Sequence, residues 1–324
     1  MYERRRSDIV HSMSDRIDPI DTIDTIDADR RLAERVPGWS GSIARIEALT
    51  GGITNRNLKV TLHNGSRYVL RLCGKDTDLL GIDRHVELAA NTAAATLGVA
   101  PEPVAFLEPE GYLITRFLDA APVPDLFVDD VMTQVGSMLR KVHEGPPLAT
   151  TFGCFSIAQR YATIAGARGI EPPAAYREAL ELCTRIESAF AARPEPDVPG
   201  HNDLLNANFL RDPTGRVWLI DWEYAGMNSR WFDLGNLATN HQLDADGRDA
   251  LLLAYAGEVS PVGQAKIELM QVISDLREAM WGVVQQAIST LDVNYVEYAA
   301  EHFEKVLRNA KNENFRRALA TVGA

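Results

Sequence analysis

From Ser42 to Leu118 the sequence is a succession of short strand-like runs, and beyond that helical patterns dominate. This segregation confines the chain to an α+β architecture. The runs are IARIEAL (43–49), RNLKVTL (56–62), RYVLRLC (67–73), PVAFLE (103–108) and YLITRFL (112–118). Gly51-Gly52, Asn64-Gly65 and Pro109-Glu110-Gly111 punctuate them, and Asn-Gly between apolar runs is a strong hairpin signal. A helical stretch from about Asp83 to Leu97 interrupts the series after the third run. The expected first module is a five-stranded antiparallel sheet with one inserted helix, not a set of alternating βαβ units.

The stretch DAAPVPD (119–125), rich in small residues and proline, reads as a boundary. Beyond it helices are expected over 129–143, 174–191, 246–256 and 265–291. One β island interrupts them: ANFLRDPTGRVWLIDWE (207–223), folded about Asp212-Pro213-Thr214-Gly215. The chain therefore divides into a flexible acidic leader (1–35) that becomes helical near Ala28 to Arg35, a sheet module (36–118) and a helical module (119–324). Within the leader, Asp18, Asp21, Asp24 and Asp27 recur at every third position. A calcium loop instead alternates its oxygen ligands and closes with a glycine and a distal Glu, so no calcium site is read here.

Charge narrows the function. Lys and Arg number 33 against 45 Asp and Glu, a net charge of −12. That balance argues against a nucleic-acid partner and mildly favours a cationic ligand. No apolar run approaches the roughly 18 residues of a membrane span, and no apolar segment follows the basic start to make a secretion signal. Cys73, Cys154 and Cys183 form no CxxC pair. The chain reads as cytoplasmic and not inserted in membrane; its oligomeric state is left open, a homodimer included.

The chemistry concentrates in HNDLLNAN (201–208) and in Asp221 of the β island. Two carboxylates and an amide beside short strands suit Mg²⁺, which takes one or two carboxylates and fills its octahedron with phosphates and water. A remaining carboxylate can orient a hydroxyl and accept its proton. These are the parts that phosphoryl transfer needs.

His201, Asp203, Asn208 and Asp221 match, in order and spacing, the catalytic loop H-x-D-x-x-x-x-N and following metal-binding Asp of the protein-kinase-like superfamily, which the chain resembles. The resemblance implies a bilobal fold, with a small antiparallel-sheet N-lobe that binds ATP and a larger helical C-lobe. It makes Asp203 the catalytic base, Asn208 and Asp221 the Mg²⁺ ligands and His201 the support of the loop. Gly51, Gly52, Thr54 and Asn55 then belong to a phosphate-covering loop. Arg71 stands at the place of the usual nucleotide-binding lysine, with Glu87 as its ion-pair partner.

Within that superfamily the chain resembles the choline/ethanolamine kinase family from about Leu49 to Leu307. The resemblance rests on HisAsnAsp (201–203), IDWEYAGMNSRWFDLGN (220–236), Arg71 in VLRL and MWGVVQQAIS (280–289). It implies a small cationic alcohol as substrate, choline or ethanolamine, and Mg-ATP as phosphoryl donor. Tyr224 and Trp281 become candidates for an aromatic wall, since a quaternary ammonium is best held by ring faces. Glu223 can assist a second Mg²⁺ or line the pocket, and Asp233 braces the loop. Val284 stands where the family has a second tryptophan, and Asn240 stands near a family glutamate. These departures leave ethanolamine, methylated ethanolamines and thiamine open. Other readings are an aminoglycoside or sugar phosphotransferase and a catalytically inactive ligand-binding pseudokinase.

Overall fold

A computed structural model of the chain describes residues 23–49, 55–74, 76–128, 130–289 and 291–324. The described residues fall into two units: those up to 77 with 100–119, and 78–99 with 120–324.

The first unit is built on an antiparallel sheet of β1 (Ile43–Leu49), β2 (Asn55–Leu62), β3 (Arg67–Cys73), β4 (Pro103–Leu107) and β5 (Tyr112–Arg116), in the order β1-β2-β3-β5-β4. The period-2 pattern of β2 turns Leu58, Val60 and Leu62 inward. At the Asn64-Gly65 turn, Gly65 takes φ +84°, and the Ser66 N–H donates to Asn64 Oδ1 at 2.9 Å. All five expected strands are present.

Ahead of the sheet lies a helix, α1 (Ile23–Ala33). Ala33, Val36 and Trp39 share one apolar core with Leu58, Val60, Leu70 and Ile114. Arg56 donates to both carboxylate oxygens of Asp29, at 2.7 and 2.5 Å. The helix expected near Ala28 to Arg35 at the end of the leader is present but starts earlier, at Ile23, and its end packs on the sheet. Residues 1–22, with Asp18 and Asp21, lie outside the described residues.

The second unit opens with α2 (Arg84–Thr96), whose N-cap Asp83 accepts from the His85 and Val86 N–H groups at 2.9 and 3.2 Å. This helix was expected to belong with the sheet, but it groups with the helical unit. The flanking contacts give the reason: Leu219 N–H donates to Val99 O at 2.8 Å, and the Tyr161 hydroxyl donates to Leu80 O at 3.1 Å.

The unit continues through β6 (Ala121–Pro122), α3 (Val131–His143), α4 (Ile157–Gly166), α5 (Ala175–Ala191), β7 (Val198–Gly200), β8 (Phe209–Arg211), β9 (Val217–Leu219) and β10 (Gly226–Asn228). It ends in α6 (Arg230–Asn240), α7 (Ala245–Ala256), α8 (Pro261–Ile288), α9 (Tyr295–Ala310) and α10 (Glu313–Gly323). The β island forms a β6-β8-β9 sheet, and β7 pairs with β10. Helices α4, α6, α9 and α10 were not foreseen from periodicity.

Helix α8 is the spine of the unit, with α4, α6, α9 and α10 packed against it. It starts earlier than expected because Ser260 caps the Gly263 N–H at 3.1 Å and Pro261 occupies its first turn. Most of its residues from Gly263 to Gln285 are buried, including Asp275, Arg277 and Glu278. Among the described residues no helix is long and apolar enough to cross a membrane.

Where α6 meets α8, a Cβ on Gly235 would lie 2.5 Å from Met270 Cβ and 2.7 Å from the Met270 carbonyl carbon. Gly235→Ala must therefore separate two packed helices, at about 1–3 kcal/mol. It should lower the melting midpoint, and a variant that melts with the wild type would contradict so close a crossing.

Candidate active site

The loop after β7 is held by side chains of α6. Asp233 accepts from the His201 N–H at 2.9 Å, from the Asn202 N–H at 2.7 Å and from His143 Nε2 at 3.1 Å. Burial alone would push its pKa up; the bonds from His143 and His201 outweigh that and hold it below the usual carboxylate value. One turn on, Asn236 Oδ1 accepts from the Leu204 N–H at 2.6 Å, while its Nδ2 donates to Ser274 Oγ on α8 at 3.0 Å. Backbone donors that would otherwise be buried unpaired are thereby satisfied.

Asn202 has φ +65°, a left-handed conformation that Asn tolerates better than most residues. Its side chain is wholly buried and ties strands together. Nδ2 donates to the carbonyls of Gly200, Tyr224 and Gly226 at 3.3, 3.0 and 3.3 Å, and Oδ1 accepts from Asn228 Nδ2 at 2.8 Å. The second residue of HisAsnAsp thus shapes the loop.

His201 is fully buried, with its ring edge-on to Trp222 at 4.7 Å between centroids. Nδ1 accepts the Asp203 N–H at 3.3 Å, which places the ring proton on Nε2, donating to Ile220 O at 3.0 Å. The histidine therefore links Asp203 to the strand end that carries Asp221. Asn208 Nδ2 donates to Asp203 O at 2.9 Å, and the Ile220 N–H donates to Asn208 O at 3.0 Å. This is the rung next to the Phe209↔Leu219 pair of β8 and β9, so Asn208 and Asp221 leave the hairpin side by side. Asp221 has φ +69°, in the left-handed region that Asp, like Asn, adopts more readily than most residues.

With Nδ2 donating to Asp203 O, Oδ1 is the Asn208 atom whose chemistry suits a hard metal ion. Two hard oxygens at the mouth of a hairpin fit Mg²⁺, whose remaining positions go to phosphates and water. The same residues do not make a closed protein cage: no group of three or more His, Cys, Asp or Glu suited to a metal occurs among the described residues.

Asp203 is 7% exposed. Its Oδ1 faces Arg277 Nη1 at 3.3 Å, and the same nitrogen donates to Glu278 Oε1 at 2.6 Å. The Arg277 guanidinium lies over the Tyr224 ring, 4.4 Å from its centroid. Burial acts against the Arg277 charge, but Glu278 and Asp203 raise its pKa well above the ordinary value. Trp281 Nε1 donates to the Tyr224 hydroxyl at 3.0 Å, and the Tyr298 hydroxyl donates to Glu278 Oε2 at 2.6 Å. Glu223 and Glu87 share one cation: Arg84 Nη1 lies 2.7 Å from Glu87 and 3.2 Å from Glu223.

The structure thus brings together His201, Asp203, Asn208, Asp221, Tyr224 and Trp281, and it seats Glu87 with Glu223. Arg71 lies in the first unit on β3, opposite Asn57 and Leu113, and Asn55 opens β2. Gly51, Gly52 and Thr54 lie outside the described residues. Sequence reasoning missed Arg84, Arg277, Glu278 and Tyr298. Only the spacing of Glu278 and Trp281, three apart and so on one helix face, pointed towards them.

Comparison with known proteins gives a consistent picture. The model of the phosphotransferase enzyme family (APH) matches residues 45–267. Protein LicA of Haemophilus influenzae is 22% identical over 271 residues, covering 80% of this chain and 78% of its own. A probable ethanolamine kinase of Arabidopsis thaliana is 24% identical over 298 residues, covering 79% and 77%. The crystal structure of a choline/ethanolamine kinase family protein from Mesorhizobium loti superposes with a TM-score of 0.79 at 28% identity, covering 92% of this chain and 98% of that one.

Proposed function

The chain belongs to the phosphotransferase enzyme family, with its protein-kinase-like fold, and on that premise we propose that it transfers the γ-phosphoryl group of Mg-ATP to the hydroxyl of a small amino alcohol, choline or ethanolamine. The observation that carries this reading is the position of Asp203. It is a buried carboxylate on a loop braced by Asp233 and Asn236, bonded through its carbonyl to Asn208 and through its side chain to Arg277, which lies over Tyr224. The naming of relatives as ethanolamine kinase and of a structural neighbour as a choline/ethanolamine kinase family protein supports the substrate class.

Asp203 accepts the hydroxyl proton as the substrate oxygen bonds to the γ-phosphorus and the bond to ADP breaks. Asn208 Oδ1 and the Asp221 carboxylate hold Mg²⁺, which when bound neutralises phosphate charge. Arg71 and Asn55, with Gly51, Gly52 and Thr54 outside the described residues, are the proposed phosphate-binding positions by the family resemblance. Glu223, anchored by Arg84, is the further carboxylate of this reading.

Incubating the full chain with ATP, with and without Mg²⁺, over a panel of choline, ethanolamine, thiamine, an aminoglycoside and a sugar tests this directly. Magnesium-dependent ADP release stimulated by the amino alcohols is expected. Stimulation by the aminoglycoside or the sugar alone would overturn the assignment.

A further inference from the structure

Beside the proposed base, the seat that a substrate cation would take is filled by the chain itself. The Arg277 guanidinium is stacked on Tyr224 at 4.4 Å and bonded through one nitrogen to both Asp203 and Glu278. Tyr224 is 6% exposed and Trp281 is 8% exposed. The Trp281 ring is flanked edge-on by Tyr295 and Tyr298, at 5.9 and 5.7 Å between centroids. The aromatic faces nearest Asp203 are therefore already in use.

Stability alone does not account for this arginine. It is 2% exposed, yet its Nε and Nη2 are buried without an acceptor. A buried N–H left unpaired costs about 1–3 kcal/mol, and such groups occur where a site demands them. At this corner two carboxylates share one guanidinium.

The two candidate cations respond to that corner in opposite ways. A trimethylammonium has no N–H and is stabilised by ring faces. A primary ammonium has three donors and is stabilised by carboxylate oxygens. Resting on the amino-alcohol reading, we propose that Arg277 is a specificity-determining residue, occupying the Tyr224 face that a quaternary ammonium needs and selecting an alcohol that carries a primary ammonium.

The N-methyl series of ethanolamine, from none to three methyl groups, tests this on the unaltered full chain with Mg-ATP. The expected result is a kcat/KM that falls with each methyl, by about tenfold or more over the series. Arg277→Met combined with Glu278→Gln removes one charge of each sign and frees the ring. It should raise the choline-to-ethanolamine ratio of kcat/KM about tenfold and make tetramethylammonium a competitive inhibitor, with no inhibition of the wild type expected. Choline turned over as well as ethanolamine by the wild type, or an unchanged ratio in a folded double variant, overturns the inference and leaves the kinase reading standing. No turnover of any amino alcohol overturns both. The methyl series decides the matter even where the double variant fails to fold.

Discussion

Asp203→Asn should lower kcat for phosphoryl transfer by about a thousandfold while nucleotide affinity stays within a few-fold of wild type. The substitution keeps the shape of the side chain and removes its charge and with it the capacity to take a proton, a capacity worth about 10²–10⁴ in rate for general-base catalysis. Its neighbours limit collateral damage. The Asp203 N–H bond to His201 and the carbonyl bond to Asn208 involve main-chain atoms that survive the change, and Arg277 keeps Glu278. Steady-state turnover with an amino alcohol, measured beside equilibrium nucleotide binding, separates the roles. Parallel loss of binding and rate would make Asp203 a structural residue, and unchanged kcat would remove it from catalysis.

The second large effect falls on stability. Asp233→Asn takes charge and an acceptor from three buried donors at once, the His201 and Asn202 N–H groups and His143 Nε2. Its own NH₂ then faces groups that also donate. Breaking a buried pair of this kind costs roughly 3–5 kcal/mol, which lowers the melting midpoint on the order of 10 °C in a chain of this size. The pH dependence has a definite sign. Because the native pKa of Asp233 is lowered, its contribution is fully present above the ordinary carboxylate value and is lost as pH falls through the native one. Calorimetry at neutral pH on wild type and variant checks the magnitude. A difference below about 1 kcal/mol would show that the loop does not depend on α6.

What was legible in the sequence was whatever repeats or punctuates. Alternation in NLKVTL and the Asn64-Gly65 turn announced the sheet, and the capped, small-residue run after Asp83 announced a helix. The fixed spacing of His201, Asp203, Asn208 and Asp221 announced the hairpin site. What was not legible depends on distant partners. Asp29 looked like one more residue of an acidic leader, yet it is buried against Arg56. The helix after Asp83 looked like part of the sheet module because it lies between its strands in sequence. Its tie to the helical unit, Arg84 with Glu223, spans 139 residues. No motif in the local sequence singled out Arg277 and Glu278, and only the packing of α8 shows them buried beside Asp203 and Tyr224. Strands of three residues such as β7 and β10 carry no period at all, and Asn202 and Asn228 hold them together.

The corner made by Asp203, Arg277, Glu278 and Tyr224 connects these results. A helix buried on nearly all sides places a cation and a carboxylate from consecutive positions beside a loop that α6 braces from the other side. In the proposed reading, that corner is where an ammonium would meet carboxylates beside the base.

The most direct measurement is the identity of the product. Phosphorus NMR of the full chain with Mg-ATP and ethanolamine should show the γ-phosphate of ATP replaced by a phosphomonoester resonance at the position of O-phosphoethanolamine, and the Asp203→Asn chain under the same conditions should show none. A spectrum in which ATP yields only inorganic phosphate, or in which the Asp203→Asn chain forms the monoester as fast as wild type, would contradict the account.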